Sequence, residues 1–216
     1  MECDLFNAIK DGALGETHRR YVIYQLCNGL HYLHSAGVLH RDLKPSNILI
    51  DSECRVKICD FGLSRTLYYY NDEPPKMTEF IATRWYRAPE VLFGSTEYSY
   101  KSDMWSLGCL IYEMYAARPL LPGKDSVNQI EKLLEFKGFP NEREVKALKV
   151  DRLEILLSHF QTNKLPENIY FKTNWSLKII SILKCLLEYD PNLRWGTKEL
   201  QSCDFLTQFH KYDKFI

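Results

Sequence analysis

The chain has 216 residues, enough to bury one sizeable core and few enough that a single domain is the first expectation. Its 28 basic and 28 acidic residues cancel to a formal net charge of zero, so nothing in the overall charge points to nucleic acid or an anionic membrane as the main partner. Seven cysteines (Cys3, Cys27, Cys54, Cys59, Cys109, Cys185 and Cys203) form no CxxC pair, which argues against a cysteine zinc site, and their odd number argues against a disulfide framework and for buried thiols in a reducing compartment.

The first ten residues, MECDLFNAIK, are charged and poor in apolar side chains, and no later run reaches the length of a bilayer. A cytosolic or nuclear protein is expected. Over residues 17–34, Tyr21, Tyr24, Cys27 and Leu30 recur at helical spacing, with Thr17 as N-cap and Gly37 beyond the end, which predicts a long buried helix. Val38-Leu39, Ile48-Leu49-Ile50 and Val56-Lys57-Ile58 read as short strands, the last two joined by the turn Asp51-Ser52-Glu53. Residues 60–90 keep no period, contain Tyr68-Tyr69-Tyr70 and Pro74-Pro75, and are too long for an ordinary connection. Residues 103–115 carry Trp105, Leu107, Gly108, Ile111 and Met114 and read as an apolar, central helix. Further helices are expected at 126–136, ended by Gly138, at 176–188 and at 197–209, whereas 140–174 shows no clear pattern. With no internal repeat and no linker, the whole reads as one mainly α (α+β) body carrying small β ribbons.

Three motifs carry chemistry: His40-Arg41-Asp42-Leu43-Lys44-Pro45-Ser46-Asn47, then Asp60-Phe61-Gly62, then Ala88-Pro89-Glu90. Any one of the tripeptides alone reads as a turn with a surface ion pair. All three in order at short spacing make chance a poor account. Phosphoryl transfer needs an aligned hydroxyl, a metal ion across the phosphates and positive charge over the developing negative charge. Asp42 can accept a hydroxyl proton, and Lys44, two residues on, can project from the same side of an extended loop toward a phosphate. Asn47 and Asp60 offer oxygen ligands of the kind Mg²⁺ prefers. Phe61 is expected to pack inward and aim Asp60, and Gly62 lets the chain turn.

This set resembles the C-terminal lobe of a eukaryotic protein kinase. KICDFGLSR, ATRWYRAPE, SDMWSLGC and RPLLPG, in that order, resemble the mitogen-activated protein kinases, and GSTEYSYKSDMWSLGCLIYEM with VNQIEKLL looks nearest to the atypical extracellular-signal-regulated kinases. The likeness covers nearly all of residues 1–209 and weakens between about 140 and 174. It implies ATP and Mg²⁺ as cofactors, protein substrates, an upstream activating kinase, and proline-directed transfer to serine or threonine. Position by position, it makes Asp42 the catalytic base, Lys44 the phosphate-contacting lysine, Asn47 and Asp60 the magnesium ligands, and Thr83 the hydrogen-bond partner of Asp42. Met1 matches the hinge residue whose backbone touches adenine, Asp4 a ribose contact, and Leu49 the apolar floor under the base. On the residues alone, Met1 reads equally as an initiator, Asp4 as a helix cap, Leu49 as core and Thr83 as a turn residue. His40 matches a packing residue, Asp103 an internal anchor for the catalytic loop, Glu90 the buried partner of Arg194, and Cys59 a thiol beside Asp60.

The family's switch is a doubly phosphorylated Thr-x-Tyr, and the matching residues here are Thr78-Glu79-Phe80. Phe80 has no hydroxyl, so only Thr78 remains, and its phosphate would pair with Arg41 and Arg65. Arg84 and Arg87 match residues that meet the second phosphate and shape the preference for proline after the target residue. Tyr68-Tyr69-Tyr70 reads as surface aromatics, and the family's acidic docking cluster is matched only by Asp213 beside Lys211 and Lys214. No glycine-rich loop, strand lysine or glutamate-bearing helix precedes the first motif, so the N-lobe is expected to be missing or supplied elsewhere, with poor nucleotide binding as the result. The expectation is therefore a partial kinase domain over 1–216, with an activation segment at 60–90 and a family-type insert at about 138–174. The alternative is an inactive scaffold or substrate-binding module.

Overall fold

Short strand pairs and longer helices alternate in a computed structural model, which describes residues 1–66, 84–95 and 99–210. Strand β1 (Cys3–Asp4) pairs antiparallel with β3 (Ile48–Ile50), and β3 with β4 (Val56–Ile58), so that Leu49 lies opposite both Asp4 and Lys57. The turn joining β3 to β4 is the expected one: Asp51 Oδ1 accepts the Glu53 and Arg55 N–H groups, and Cys54 takes a left-handed φ of 61°. A second ribbon pairs β2 (Val38–Leu39) with β5 (Arg65–Thr66), Leu39 opposite Arg65.

Helix α1 (Leu5–Lys10) follows β1 directly, capped by Asp4, and α2 (Glu16–Ser35) buries Tyr24, Cys27 and Leu30 of the expected set and leaves Tyr21 half-buried, with Val22, Ile23 and Leu26 buried as well. The start of α2 differs from expectation. Gly15, not Thr17, is the N-cap, because His18 Nδ1 turns back to accept the Gly15 N–H at 3.3 Å and closes the first turn early. Its end is as expected, with Gly37 at φ 72°.

The central helix α4 (Tyr100–Ala116) is buried at every residue from Ser102 to Ala116. It begins before the expected 103, since Ser99 Oγ caps the Lys101 N–H at 3.2 Å, and it stops where Ala117 turns left-handed. Against it packs α8 (Leu177–Leu186), capped by Ser176. The approach requires a glycine: a Cβ on Gly108 would lie 2.9 Å from Leu187 Cδ2. Helix α3 (Pro89–Leu92) and α5 (Ser126–Lys137, ended by Gly138) flank the other side.

The stretch without sequence pattern holds two short helices, α6 (Glu142–Leu148) and α7 (Leu153–Leu157), separated by left-handed Lys149 and Arg152. Its later residues Tyr170 and Phe171, with Trp175 just beyond it, meet Phe136, Tyr112 and Tyr115 at ring distances of 4.9–6.2 Å, closing the lower core. Helix α9 spans only Thr197–Gln201, shorter than the expected 197–209. Phe205, Leu206 and Phe209 are buried instead by tight turns, in which Leu206 N–H bonds to Cys203 O and Phe209 N–H to Leu206 O. Among the described residues, no helix is long and apolar enough to cross a membrane.

One ion pair locks these layers. Arg194, 1 % exposed, places all five N–H groups: Nη1 and Nη2 on Glu90 Oε1 and Oε2 at 2.8 and 2.9 Å, and the rest on the carbonyls of Lys101, Glu188 and Tyr189. Burial pushes the Glu90 carboxyl up, but Arg194 outweighs it, with the Ser102 hydroxyl assisting, and holds the group below the usual carboxylate range. The expected Glu90–Arg194 pairing is thus observed, and it joins α3, the start of α4 and the segment after α8. Arg194→Met is expected to lower the unfolding free energy by about 3–5 kcal/mol by stranding Glu90. A urea denaturation curve showing a loss under about 1 kcal/mol would remove the pair from this role.

Candidate active site

The loop after β2 is held from below. Asp103 on α4, 2 % exposed, accepts the His40 N–H on Oδ2 at 3.0 Å and the Arg41 N–H on Oδ1 at 2.9 Å. His34 Nε2 contacts the same Oδ2 at 2.9 Å. The anchoring expected of Asp103 is observed, and it holds Arg41 at φ 70°, a conformation that only a second set of contacts can maintain in a non-glycine residue. His40 is fully buried and bonds through Nε2 to Cys59 O at 3.0 Å, so it packs the loop against the end of β4.

Above this anchor, Asp42, Lys44 and Asn47 converge. Lys44 Nζ donates to Asp42 Oδ2 at 2.7 Å, and Asn47 Nδ2 donates to Asp42 O at 2.8 Å and to Asp42 Oδ2 at 3.0 Å. Both side chains of the ion pair are largely buried, 14 % exposed for Asp42 and 19 % for Lys44. Spending its N–H groups on Asp42 leaves Asn47 Oδ1 as the atom to offer a cation. Asn47 ends a short 3₁₀ turn (Pro45–Asn47), and its carbonyl accepts the Cys59 N–H at 2.9 Å, which brings Asp60, the next residue, beside it.

Asp60 is exposed and left-handed, φ 64°, with Oδ1 accepting the Gly62 N–H at 3.3 Å. Phe61 does not pack inward. It is 46 % exposed, and its ring meets the buried His40 ring in a T-shaped contact with centroids 5.1 Å apart, so it lies against His40 without entering the core. Partial burial raises the Cys59 thiol, with Asp60 and Asp4 adding to the shift, so the thiol reads as inert. Among the described residues, no cluster of three His, Cys, Asp or Glu side chains could close around a metal. Asn47 and Asp60 supply an open pair of oxygen ligands, the donor set that Mg²⁺ accepts while keeping its waters.

The three residues assigned to the nucleotide base and sugar lie together at one edge: Met1 precedes β1, and Asp4 and Leu49 are cross-strand partners. Asp4 also serves as a helix cap, Oδ1 accepting the Asn7 N–H at 2.8 Å. Arg41 and Arg65 both leave the β2–β5 ribbon, and Arg65 Nη1 donates to Ser64 O at 2.9 Å. Arg84 opens a 3₁₀ turn (Arg84–Tyr86), and Arg87 follows it to line a small gap of about 10 Å³ with Arg41 and Asp42. A much larger cavity of about 620 Å³ lies away from this chemistry, lined by Leu14, Tyr21, Cys54 and Phe209. Thr78, Phe80, Thr83, the Tyr68-Tyr69-Tyr70 run, Lys211, Asp213 and Lys214 lie outside the described residues.

Sequence reasoning missed the support of residues 84–88. Tyr86 O–H donates to Glu113 Oε2 at 2.7 Å, Ser106 Oγ donates to Tyr86 O at 2.7 Å, and Trp85 Nε1 donates to Gly123 O at 2.9 Å. The available signal was Glu113, the second carboxylate after Asp103 in a helix of mostly apolar residues. Burial raises the Glu113 carboxyl above its ordinary range despite the Tyr86 hydrogen bond, and burial with the nearby Glu113 carboxylate raises Tyr86 far above the usual phenol range.

The Protein kinase domain family matches residues 1–206. Extracellular signal-regulated kinase 2 of Dictyostelium discoideum is 40 % identical over 97 % of this chain and 58 % of its own length. Mitogen-activated protein kinase 10 of Arabidopsis thaliana is 42 % identical over 97 % of the chain and 52 % of its own length, and mitogen-activated protein kinase 15 of Xenopus laevis is 39 % identical over 97 % and 36 %. The chain belongs to the protein kinase family. Its relatives are of mitogen-activated type, and the chain spans about half the length of the curated relatives it matches.

Asp103→Asn is expected to speed amide hydrogen exchange at His40, Arg41 or both by about tenfold or more, since a hydrogen bond to a charged acceptor is lost, with α8 amides unchanged. Unaltered exchange at both amides would show that the loop is held by other contacts. For Glu113 the raised folded-state value means that the folded chain keeps a proton the unfolded chain releases. Stability therefore falls as pH climbs from the ordinary glutamate range through the raised value. Glu113→Gln should flatten that slope and add up to about 1 kcal/mol at pH 7.5 relative to pH 5 in urea denaturation. Identical pH slopes for the two proteins would assign the dependence elsewhere.

Proposed function

We propose that the chain is the large-lobe portion of a serine/threonine kinase of mitogen-activated type, which transfers the terminal phosphoryl group of ATP to protein substrates, proline-directed through Arg84 and Arg87. The observation that carries this reading is the convergence of Lys44 Nζ and Asn47 Nδ2 on one oxygen, Asp42 Oδ2. A carboxylate so placed can take the proton of a substrate hydroxyl as its oxygen attacks the γ-phosphorus and the bond to the bridging oxygen of ADP breaks. Lys44, next to that carboxylate, can pass to the phosphoryl oxygens as negative charge develops there. Asn47 Oδ1 and the Asp60 carboxylate would hold Mg²⁺, which when bound neutralises charge across the phosphates.

In this reading Met1, Asp4 and Leu49 receive the adenosine moiety, Thr83 orients Asp42, and residues 60–90 form the activation segment. An upstream kinase phosphorylates Thr78, whose phosphate pairs with Arg41 and Arg65. Residues of about 138–174 form the family-type insert, and a cytosolic or nuclear setting fits the free cysteines. The phosphate-clamping elements of the family are not among residues 1–216, so these residues carry the metal and hydroxyl half of the chemistry.

MgATP is expected to raise the melting temperature of the wild-type chain and not of Asp60→Ala, because a ligand that binds only the folded state stabilises it. Phosphotransfer to a Ser-Pro peptide is expected to fall by about a hundredfold or more in Asp42→Asn. No MgATP stabilisation in either protein, or equal transfer by Asp42→Asn, would overturn the enzyme reading in favour of a substrate-binding scaffold.

A further inference from the structure

The cavity of about 620 Å³ that lies away from the catalytic loop is bounded by β1, α1, the start of α2 and the turn between β3 and β4, with Phe209 at one end. Its most buried lining residues include Leu14, Ile50 and Phe209, all apolar, and Tyr21 and Cys54 beside them are half-buried. A space of this size takes a few side chains or one drug-sized group. The Phe209 ring is packed 5.4 Å from the Tyr21 ring and 5.7 Å from the Tyr24 ring. His210 follows, with Nε2 3.1 Å from Gln201 O and its ring 6.0 Å from Tyr24. Residue 211 therefore starts two positions beyond a residue of the cavity wall.

The rim on the side of the β3–β4 turn is acidic. Glu2, Asp51 and Glu53 line it, and the cation bonded there is Arg55, whose Nε donates to Asp51 Oδ2 at 2.8 Å and whose Nη1 lies 3.2 Å from Glu53 Oε2. Asp51 raises the Arg55 guanidinium above its ordinary range, and Glu53 and Glu2 add to the shift. Three carboxylates around one guanidinium leave this rim negative. Glu2 and Glu53 are exposed, and Glu2 Oε1 accepts the Ser52 hydroxyl at 2.8 Å. A carboxylate has room for several donors, so both can still accept from an ammonium group.

We propose that residues 211–216 of this chain, Lys211-Tyr212-Asp213-Lys214-Phe215-Ile216, fold back over the cavity, with Lys211 and Lys214 at the acidic rim and Phe215 and Ile216 against its apolar wall. Two cations against one anion give the segment the sign opposite to that of the rim. An aromatic and an aliphatic side chain at its far end are what the wall can bury. Six residues reach at most about 20 Å, enough to cross the cavity from Phe209. Tethering sets an effective concentration of about millimolar, so contacts too weak to hold a free peptide suffice, and a second copy at micromolar concentration is outcompeted. Exposed ion pairs hold little by themselves, so the lysines set where the segment lies and the apolar pair keeps it there. The chain thus closes this cavity on itself, and any other group that reaches Cys54 must first displace residues 211–216.

The readout is the accessibility of Cys54, which is independent of nucleotide and of phosphotransfer. Alkylation by iodoacetamide would be followed residue by residue by mass spectrometry on the whole chain at micromolar concentration, with the buried Cys109 reporting that the fold is intact. Phe215→Ser and, separately, Lys211→Glu combined with Lys214→Glu are each expected to speed alkylation of Cys54 about threefold or more while Cys109 stays unreactive. Carboxylates added near a thiol raise its pKa and slow its intrinsic reaction, so a faster rate in the charge variant reads exposure and not reactivity. Failure of either variant to raise the Cys54 rate would overturn the proposal. Protection of Cys54 that grows with protein concentration would overturn it as well, by assigning the cavity to a second copy.

Discussion

A polar group carried into a core is costly unless it is hydrogen-bonded, and of those that the buried helix α4 carries, Ser102, Asp103, Ser106 and Glu113 are bonded whereas Trp105 Nε1 and Tyr112 Oη are not, among the described residues. The partners come from the segments that drape over it. Ser102 Oγ donates to Glu90 and Ser106 Oγ to the Tyr86 carbonyl, while Glu113 accepts from the Tyr86 hydroxyl and Asp103 accepts from the backbone of His40 and Arg41. Ser102, Ser106 and Glu113 are spaced by four and seven residues, which returns each to one face of a helix. That polar stripe fixes residues 84–90, and Asp103, one position round, fixes the catalytic loop. The two segments that would flank a substrate are thus placed by satisfaction of one helix.

The Glu90–Arg194 pair completes the arrangement from the far end. The Arg194 guanidinium lies over the Trp105 ring at 5.3 Å and also takes the Lys101 carbonyl, so the cation that neutralises Glu90 is packed on the same helix. Residues 84–90 are then held at both ends, by Trp85 on Gly123 O and by Glu90 on Arg194. Groups joined this way share partners, and their contributions will not add when they are removed in pairs.

Much of this was legible in the sequence, for identifiable reasons. The strands were short apolar runs beside turn residues, the candidate site residues stood in ordered motifs, and the long helix kept its period through Leu30. What escaped depended on contacts between distant segments. Gly15 became a cap only through His18, and the 205–209 turns follow from burying Phe205, Leu206 and Phe209 together. Helices α6 and α7 are too short to show a period, and the left-handed residues that separate them, Lys149 and Arg152, are not glycine or asparagine. Phe61 was read as an inward residue from its motif, but its ring stays exposed against the buried His40. The stripe on α4 was present in the sequence at helical spacing and was hidden by the surrounding apolar residues.

Two of the residues nearest the chemistry are left-handed without being glycine. Arg41 lies at φ 70° and Asp60 at φ 64°, each a conformation costing about 1–3 kcal/mol. The surrounding bonds show what sustains them. Arg41 is pinned by the Asp103 carboxylate, and Asp60 follows Cys59, whose N–H is fixed on Asn47 O and whose carbonyl is fixed on His40 Nε2. Each strained residue is therefore tied to the other through His40. If either relaxed toward ordinary helix or strand angles, the direction of the Asp42 or the Asp60 side chain would change with it. The buried Asp103 that anchors the loop therefore fixes the backbone from which Asp42 projects and, through His40 and the Cys59 carbonyl, reaches the backbone of Asp60 as well.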